Sequence, residues 1–216
     1  MKEKQRAKLK QYLIRDIFDL VKLNLIFVVC CLPVITIPAA ITAMTKISIQ
    51  LQRGDRIYVI ADFLATLRKE FLDSLICGVV VVGVVLLLAY VFWFYQTMEI
   101  DGNLLLNVLR GLTLLPLLVC YCASCYLWVM NATVELPRTK RFRNALSLTV
   151  LCVKPTLVCL LTGVVFGGIE LLSMPISTPF VFVAGFSFWN YICTFYTLPM
   201  VEQYVTIHED IGEHIE

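Results

Sequence analysis

The sequence predicts an all-α polytopic membrane protein, a helix bundle built from five hydrophobic segments. Two observations carry this prediction. First, 59% of the 216 residues are hydrophobic and only 16% are charged, with a mean hydropathy of +0.82. A soluble domain usually has about 45–50% apolar and about 25% charged residues. Second, the apolar residues form long runs with few charges, which is typical of helices that cross a bilayer.

Four of the five segments are long enough to cross the membrane as helices. They cover residues 75–95, 108–130, about 146–169 and 180–200. Each has roughly 20 residues or more, which matches a hydrocarbon core of about 30 Å at about 1.5 Å per residue. Backbone groups in lipid have no water to bind, so these segments are expected to be helical.

The positions of lysine and arginine predict how these helices are oriented. All but two of the 18 basic residues lie before the first segment, between the first and second, or between the third and fourth. The connections at 96–103 and 173–179 contain none. Because cytoplasmic flanks carry an excess of basic residues, segments two to five are expected to form two hairpins with short external turns. The C-terminus is then cytoplasmic.

The first segment, at residues 24–44, contains two prolines five residues apart. Pro33 and Pro38 each lack a backbone N–H and clash with the preceding turn, so a continuous helix is disfavoured. Pro38 suits the first turn of a new helix, for which Thr36 is the expected cap. We expect a descending helix, a break at 34–37 and a second helix returning from Pro38 to about residue 52.

Two topologies of this first segment remain open. Both of its flanks are basic, so a re-entrant segment keeps the N-terminus and all the flanking basic residues in the cytoplasm, as the positive-inside bias favours. A kinked full span would place the N-terminus outside. Amphipathic stretches at 9–21 and 57–71 flank the segment, and they are expected at the cytoplasmic interface as lipid anchors or as a docking surface.

The chain is expected to form one integral membrane domain, residues 1–216. Residues 1–73 are its amphipathic and re-entrant N-terminal part, 74–200 its four-helix membrane bundle and 201–216 an acidic cytoplasmic tail. The tail holds both histidines, but it does not fit the His-Glu-x-x-His pattern of metalloproteases.

Few residues in the membrane segments are candidates for function. Arg110 and Glu170 are near the outer ends of the third and fourth segments, and ionisable residues at membrane depth are usually paired or functional. They are expected to form an intramembrane ion pair or to reach the outer head groups. Gly163 and Gly167 make a small-x-x-x-small motif, which allows close helix packing within the chain or in a homodimer.

Nine cysteines raise the question of metal or redox chemistry. A zinc site needs thiolates, which are costly in hydrocarbon, whereas a neutral cysteine packs well as a small apolar residue. We interpret the cysteines as packing residues and predict no metal and no cofactor. The segments also lack histidine and aspartate, and no phosphate-binding loop or nucleophile elbow is present. The sequence therefore predicts a non-catalytic protein, and its basic stretches do not indicate nucleic-acid binding.

The run LNLIFVVCCLPVITIPAAITAM (23–44), followed by ADFLATLRKEFLDSLICG (61–78), resembles the YesL family of uncharacterised bacterial membrane proteins. That family typically has a Leu-Pro-Val motif followed by threonine and by Gly-Pro-Ala. The matching residues here are Leu32, Pro33, Val34, Thr36, Pro38 and Ala39. Ile37 stands where the family usually has glycine, which makes the turn stiffer. The basic run RFRNALSLTV (141–150) also fits the family.

The resemblance covers essentially the whole chain. It implies a multi-pass protein of the bacterial plasma membrane with no established activity. It also implies an association with carbohydrate uptake systems of the ABC type, so the expected role is an accessory or assembly partner of a membrane protein such as an ABC permease. The alternative is a small-solute transporter that uses the broken first segment as its binding element, because unwound helices present free backbone groups to substrates.

Overall fold

The computed structural model describes residues 2–97, 104–134, 136–173, 179 and 181–206, with side chains from residue 16 onward except 104–107, 110 and 206. Every regular element in this part of the chain is helical. The α-helices are α1 (Lys2–Cys30), α2 (Ile37–Arg53), α3 (Val59–Lys69), α4 (Phe71–Thr97), α5 (Leu104–Thr133), α6 (Arg138–Leu151), α7 (Val153–Ser173) and α8 (Phe186–Val201). A 3-10 turn at Val34–Thr36 precedes α2, and π-helical turns at Val181–Gly185 and Glu202–Thr206 flank α8.

The predicted fold class is confirmed. Five helical stretches of the described residues are long and apolar enough to cross a membrane: Val34–Arg53, Phe71–Thr97, Gly111–Thr133, Val153–Ser173 and Val181–Val205. Helix α4 packs along α5, and α7 packs along α8. These are the helix pairs expected from the two predicted hairpins.

Two predicted segments have different boundaries in the structure. Residues 24–30 belong to α1, so the first apolar stretch that could span begins only at Val34. The fourth segment was predicted as one run over 146–169, but α6 ends at Leu151 and α7 begins at Val153. Pro155 explains this division, because its ring clashes with the carbonyl four residues earlier, which is that of Leu151.

Helices α1 and α2 fold back on each other as a hairpin. The hydroxyl of Tyr191 in α8 donates to Asp16 in α1 across 3.0 Å, and Gln52 at the end of α2 donates to the carbonyl of the same tyrosine across 2.9 Å. A collinear, kinked segment would hold these two residues at opposite ends. The predicted helix–break–helix arrangement is therefore the observed shape, but the break lies at residues 31–36 and not at the predicted 34–37.

Helix α2 lies at the centre of the bundle, in contact with α1, α3, α4, α5 and α8. In the most apolar 18-residue stretch of Val34–Arg53, 56% of the residues are buried. The corresponding stretches of α4 and α7 have only 11% and 6% of their residues buried. Small residues allow this close packing, and the buried positions include Ala39, Ala40, Ala43 and Ser48. The N-terminal part of the chain is thus integrated into the bundle.

The amphipathic stretch at 57–71 forms α3, which packs on the hairpin. Val59, Phe63 and Thr66 are its buried residues. Ile60 and Leu64, which belong to the predicted apolar stripe, are exposed. The helix therefore has two apolar sides, one against α1 and α2 and one outward, and the outward side is the one expected to meet the membrane interface.

Candidate functional site

One threonine side chain closes the break between α1 and α2. The hydroxyl of Thr36 is a donor to the carbonyl of Cys30, the last residue of α1, and lies 2.5 Å from the carbonyl oxygen of Pro33. Thr36 stands at the N-cap position of α2, but its side chain makes no capping hydrogen bond there. The predicted cap position is therefore confirmed, but the side-chain capping hydrogen bond is not formed. The hydroxyl instead satisfies the carbonyl of Cys30, which the end of α1 leaves free, while the carbonyl of Pro33 accepts from the backbone N–H of Thr36.

The break lies part-way along α4 and not at an end of the bundle. A Cβ atom at Gly78 of α4 would overlap the ring of Pro38, and Ser74 Oγ donates to Thr42 Oγ1 across 2.8 Å. Gly78 is about 10 Å from the start of α4, at about 1.5 Å per residue. Pro38 is in the first turn of α2, as predicted for a proline that opens a helix.

Asn24 joins the hairpin to the last helix, and the sequence analysis did not single it out. Its side chain is fully buried. Nδ2 donates to the carbonyls of Val181 (3.1 Å) and Phe182 (2.6 Å), and Oδ1 accepts from the N–H of Ser187 (2.9 Å). These backbone groups lie where a π-helical turn passes into α8, and Asn24 gives them partners from another helix. A lone amide in an apolar run was the available signal, since burying it without partners is costly.

An apolar cavity of about 580 Å³ lies between the hairpin, α5 and α8. This volume is within the usual range of small-molecule pockets, about 300–1,000 Å³. Two residues of the break, Cys31 and Leu32, form part of one wall together with Ile37, the first residue of α2. Aromatic side chains dominate the opposite wall, which includes Tyr121, Trp128, Phe186 and Trp189. No charged residue of the described chain lines this cavity.

The few polar groups around the cavity are mostly engaged with one another. Asn190 donates to Thr45 Oγ1 across 3.1 Å, and the hydroxyl of Thr194 donates to the carbonyl of Asn190 across 2.8 Å. Ser124 donates to a carbonyl of its own helix at 2.6 Å. The buried indole N–H of Trp189 is the exception, with no acceptor among the described residues. A sugar would lose its hydration here without gaining enough new hydrogen bonds, so the cavity suits an apolar group.

Three cysteines from three helices meet beside this cavity. The Sγ atoms of Cys125 (α5), Cys159 (α7) and Cys193 (α8) all lie within 4.8 Å of one another. All nine cysteines of the chain are free thiols. The first member of the Cys-x-x-Cys pair, Cys122, is not in the cluster; its Sγ lies 4.0 Å from the carbonyl of Thr156. Sequence spacing could not reveal the cluster, because its members are far apart in the chain.

Charged residues pair where α4 and α6 begin. The carboxylate of Asp73 is 2.6 Å from Nε of Arg138 and 2.5 Å from Nη1 of Arg141. Arg141 also donates to Oδ1 of Asn131 near the end of α5, across 2.9 Å. Basic residues that the sequence analysis used only for orientation thus also connect three helices.

The other predicted site residues have mixed outcomes. The side chain of Arg110 lies outside the described residues, so its ion pair with Glu170 stays a prediction. A Cβ atom at Gly163 would overlap the Tyr121 ring of α5, which makes this glycine a close contact within the chain. Gly167 has nothing within 4 Å of the Cβ position, so it makes no close contact among the described residues, and its packing in a homodimer stays a prediction. The histidine-containing tail lies outside the described residues.

Comparison with known proteins identifies a family for one third of the chain. Residues 20–92 match a family described as a protein of unknown function, DUF624. The match runs from within α1 to within α4, so it contains both prolines and Thr36 and excludes α5 to α8. No curated protein and no solved structure is significantly similar to the chain.

Proposed function

We propose that this protein is a non-catalytic accessory or assembly partner of a membrane transport system in the bacterial plasma membrane. The resemblance to the YesL family suggests a system of the carbohydrate ABC type. The observation that carries the proposal is that Thr36 binds two of the backbone carbonyls at the break in the first segment. A transporter of the broken-helix kind needs free backbone groups at the break, whereas here Thr36 occupies the carbonyls of Cys30 and Pro33.

The hairpin has a second feature that supports an accessory role. It holds α3 so that Ile60, Leu64 and the 83%-exposed Tyr58 point away from the bundle. Exposed apolar side chains among charged ones are typical of a helix at a membrane interface or at a contact with another protein. In this proposal the hairpin positions α3, and α3 contacts the transport partner.

The proposed topology puts both chain termini in the cytoplasm. The end of α2 is tied to the π-helical turn after α8 by the ion pair of Arg53 with Glu202, at 2.6 Å. Asp73 ties the start of α4 to α6. The ends of α2 and α8 and the starts of α4 and α6 therefore share one side of the bundle with most of the basic residues, and the positive-inside bias assigns that side to the cytoplasm.

The cavity gives specific support to one alternative, a transporter of an apolar solute. Residues of the break line the cavity, so a change in the hairpin would change the shape of that cavity. This function needs flux by the protein alone, while an accessory protein needs a partner. The two proposals therefore make opposite predictions for the purified protein.

The test uses a tagged chain expressed in its own host and purified in mild detergent, with partners identified by mass spectrometry. We expect recovery of an ABC permease subunit in near-stoichiometric amount. The Pro33→Ala/Pro38→Ala double variant should recover less of it, because prolines disfavour a continuous helix by up to about 3 kcal/mol each and their loss favours straightening of the hairpin. Pro116→Ala, which removes a proline within α5, is the matched control. Saturable solute uptake by the purified wild-type protein alone in liposomes would contradict the accessory role.

A further inference from the structure

We propose that Cys125, Cys159 and Cys193 form a three-sulfur binding site for Cu(I) inside the bundle. Each comes from a different helix, and their Sγ atoms lie within 4.8 Å of one another. Metal–sulfur bonds of about 2.3 Å in a trigonal arrangement place the sulfur atoms about 4.0 Å apart. The three thiols are therefore nearly in position, and small side-chain movements would complete the site.

The number and kind of ligands favour Cu(I) over other ions. Thiolate ligands select soft ions, chiefly Cu(I) and Zn²⁺. Structural zinc almost always has four protein ligands, whereas this cluster has three and includes no histidine or carboxylate among the described residues. Cu(I), a soft ion, is stable with three sulfur ligands.

The surroundings allow an ion to enter and to be held. Cys125 and Cys193 line the apolar cavity, which provides a path to the cluster, while Cys159 is fully buried behind them. The hydroxyl of Thr162 lies 3.7 Å from Sγ of Cys193, and either atom can be the donor. Such outer contacts orient metal ligands.

Without a bound ion we expect the three cysteines to be neutral thiols, because a thiolate is costly in an apolar setting. A thiolate there is favourable only when a cation arrives with it. One Cu(I) bound by two thiolates and one neutral thiol has a single net negative charge, and its formation releases two protons. The apparent affinity should therefore rise by about 100-fold per pH unit while the free thiols remain protonated. An affinity that does not change with pH would contradict ligation by thiolates.

The test is an anaerobic titration of the reduced full-length protein in detergent with Cu(I), against a coloured Cu(I) chelator as competitor. We expect one tightly bound ion per chain, an ultraviolet thiolate-to-copper charge-transfer band and sulfur-only coordination by X-ray absorption. Cys125→Ala, Cys159→Ala and Cys193→Ala should each weaken binding by at least about 100-fold, since loss of outer contacts alone costs about 10–100-fold. The Cys122→Ala and Cys152→Ala controls remove buried thiols outside the cluster and should bind as the wild type does.

A second measurement does not depend on the folding of any variant. Cu(I) added to the wild-type protein should protect Cys125, Cys159 and Cys193 from alkylation, as mapped by mass spectrometry, and leave Cys30 and Cys120 reactive. Equal protection of all the cysteines, or no tight ion in the wild type, would overturn the site and leave the cluster as packing. The inference is independent of the proposed accessory role, because it needs no partner and no flux.

Discussion

Two halves of the bundle are packed in different ways. The basic half comprises α2, α3, α6 and the neighbouring parts of α1, α4, α5 and α8, and it contains both clusters of buried hydrophobic residues. The apolar half comprises residues 79–97, 111–121 and 160–173. On α4 the buried residues are Ser74, Cys77 and Gly78, all near its start, and on α7 only Cys159 is buried.

The difference arises because side chains of a membrane protein can be surrounded either by lipid or by other parts of the protein. Lipid is as apolar as leucine, so exposed valines and leucines in the apolar half need no protein partner there. Helices associate in lipid through close packing and polar contacts, and these are concentrated in the basic half. Gly78 against Pro38, Asn24 against the start of α8 and Asp73 against two arginines are examples. The basic half therefore determines the arrangement, while the apolar half mainly has to be long and apolar.

The largest expected effect is on the labelling of introduced cysteines, which reports which side of the membrane the basic half faces. Single cysteines introduced at Lys4 and at Asp55 in a cysteine-free background should both resist an impermeant thiol reagent in intact cells. Both should react fully after the cells are opened, because they share the cytoplasmic side in the proposed topology. Labelling of only one of them in intact cells would contradict the shared side.

Asn24→Ala should cause the largest loss of stability within the basic half. The change leaves the buried N–H of Ser187 without its acceptor and removes a donor from the part-buried carbonyls of Val181 and Phe182, and an unsatisfied buried group costs about 1–3 kcal/mol. We expect a loss of about 3 kcal/mol or more in unfolding free energy, measured by denaturation in detergent. Val80→Ala, on the exposed part of α4, is the control and should change the stability by less than about 1 kcal/mol. Similar losses of unfolding free energy for both variants would mean that the two halves contribute equally to stability.

Asp73→Ala should destabilise the protein less than the Asn24 change. It leaves Arg138 and the largely buried Arg141 without their shared carboxylate. Removing one partner of a fully buried ion pair costs about 3–5 kcal/mol, but Asp73 is partly exposed, so about 2 kcal/mol is expected from the same denaturation measurement. Asp62→Ala, which removes an acidic residue of α3, should have a smaller effect. An unchanged midpoint for Asp73→Ala would show that solvent screens this cluster.

Thr36→Val tests the closure of the break by removing one hydroxyl at nearly constant volume. The carbonyl of Cys30 loses this donor, whereas that of Pro33 keeps the backbone N–H of residue 36, and we expect a loss of about 1–2 kcal/mol. Thr97→Val removes a comparable hydroxyl-to-carbonyl bond at the exposed end of α4. It should cost a few tenths of a kcal/mol at most, as surface changes usually do. If the two variants are equally stable, the break does not depend on Thr36.

The smallest effect concerns the predicted pair of Arg110 and Glu170, the one ionic link expected in the apolar half. If the two side chains interact, the double change to alanine should destabilise less than the sum of the single changes, with a coupling of about 1 kcal/mol. A double-mutant cycle of unfolding free energies measures this coupling. Additive losses would show that each residue is solvated by the outer head groups.

Much of the fold could be predicted from local patterns. Length and hydropathy of the runs predicted four spans, and the two prolines predicted a break that the structure has at residues 31–36. Local patterns did not predict hydrogen bonds and packing contacts that depend on another helix. Thr36 has the sequence position of a cap, yet its hydroxyl bonds to α1. Gly163 and Gly167 look equivalent in the sequence, and only Gly163 has a helix against it.

The sequence by itself determined the membrane class, the number of apolar helices and the break, because hydropathy, helix length and the missing N–H of proline act over a few neighbouring residues. Only the tertiary structure decided which helices surround α2, which polar groups meet Asn24 and which cysteines come together. Cys125, Cys159 and Cys193 are on different helices, and the distances between them depend on how those helices pack. In lipid that packing follows from close contacts and buried hydrogen bonds between distant residues, which no local pattern of the chain encodes.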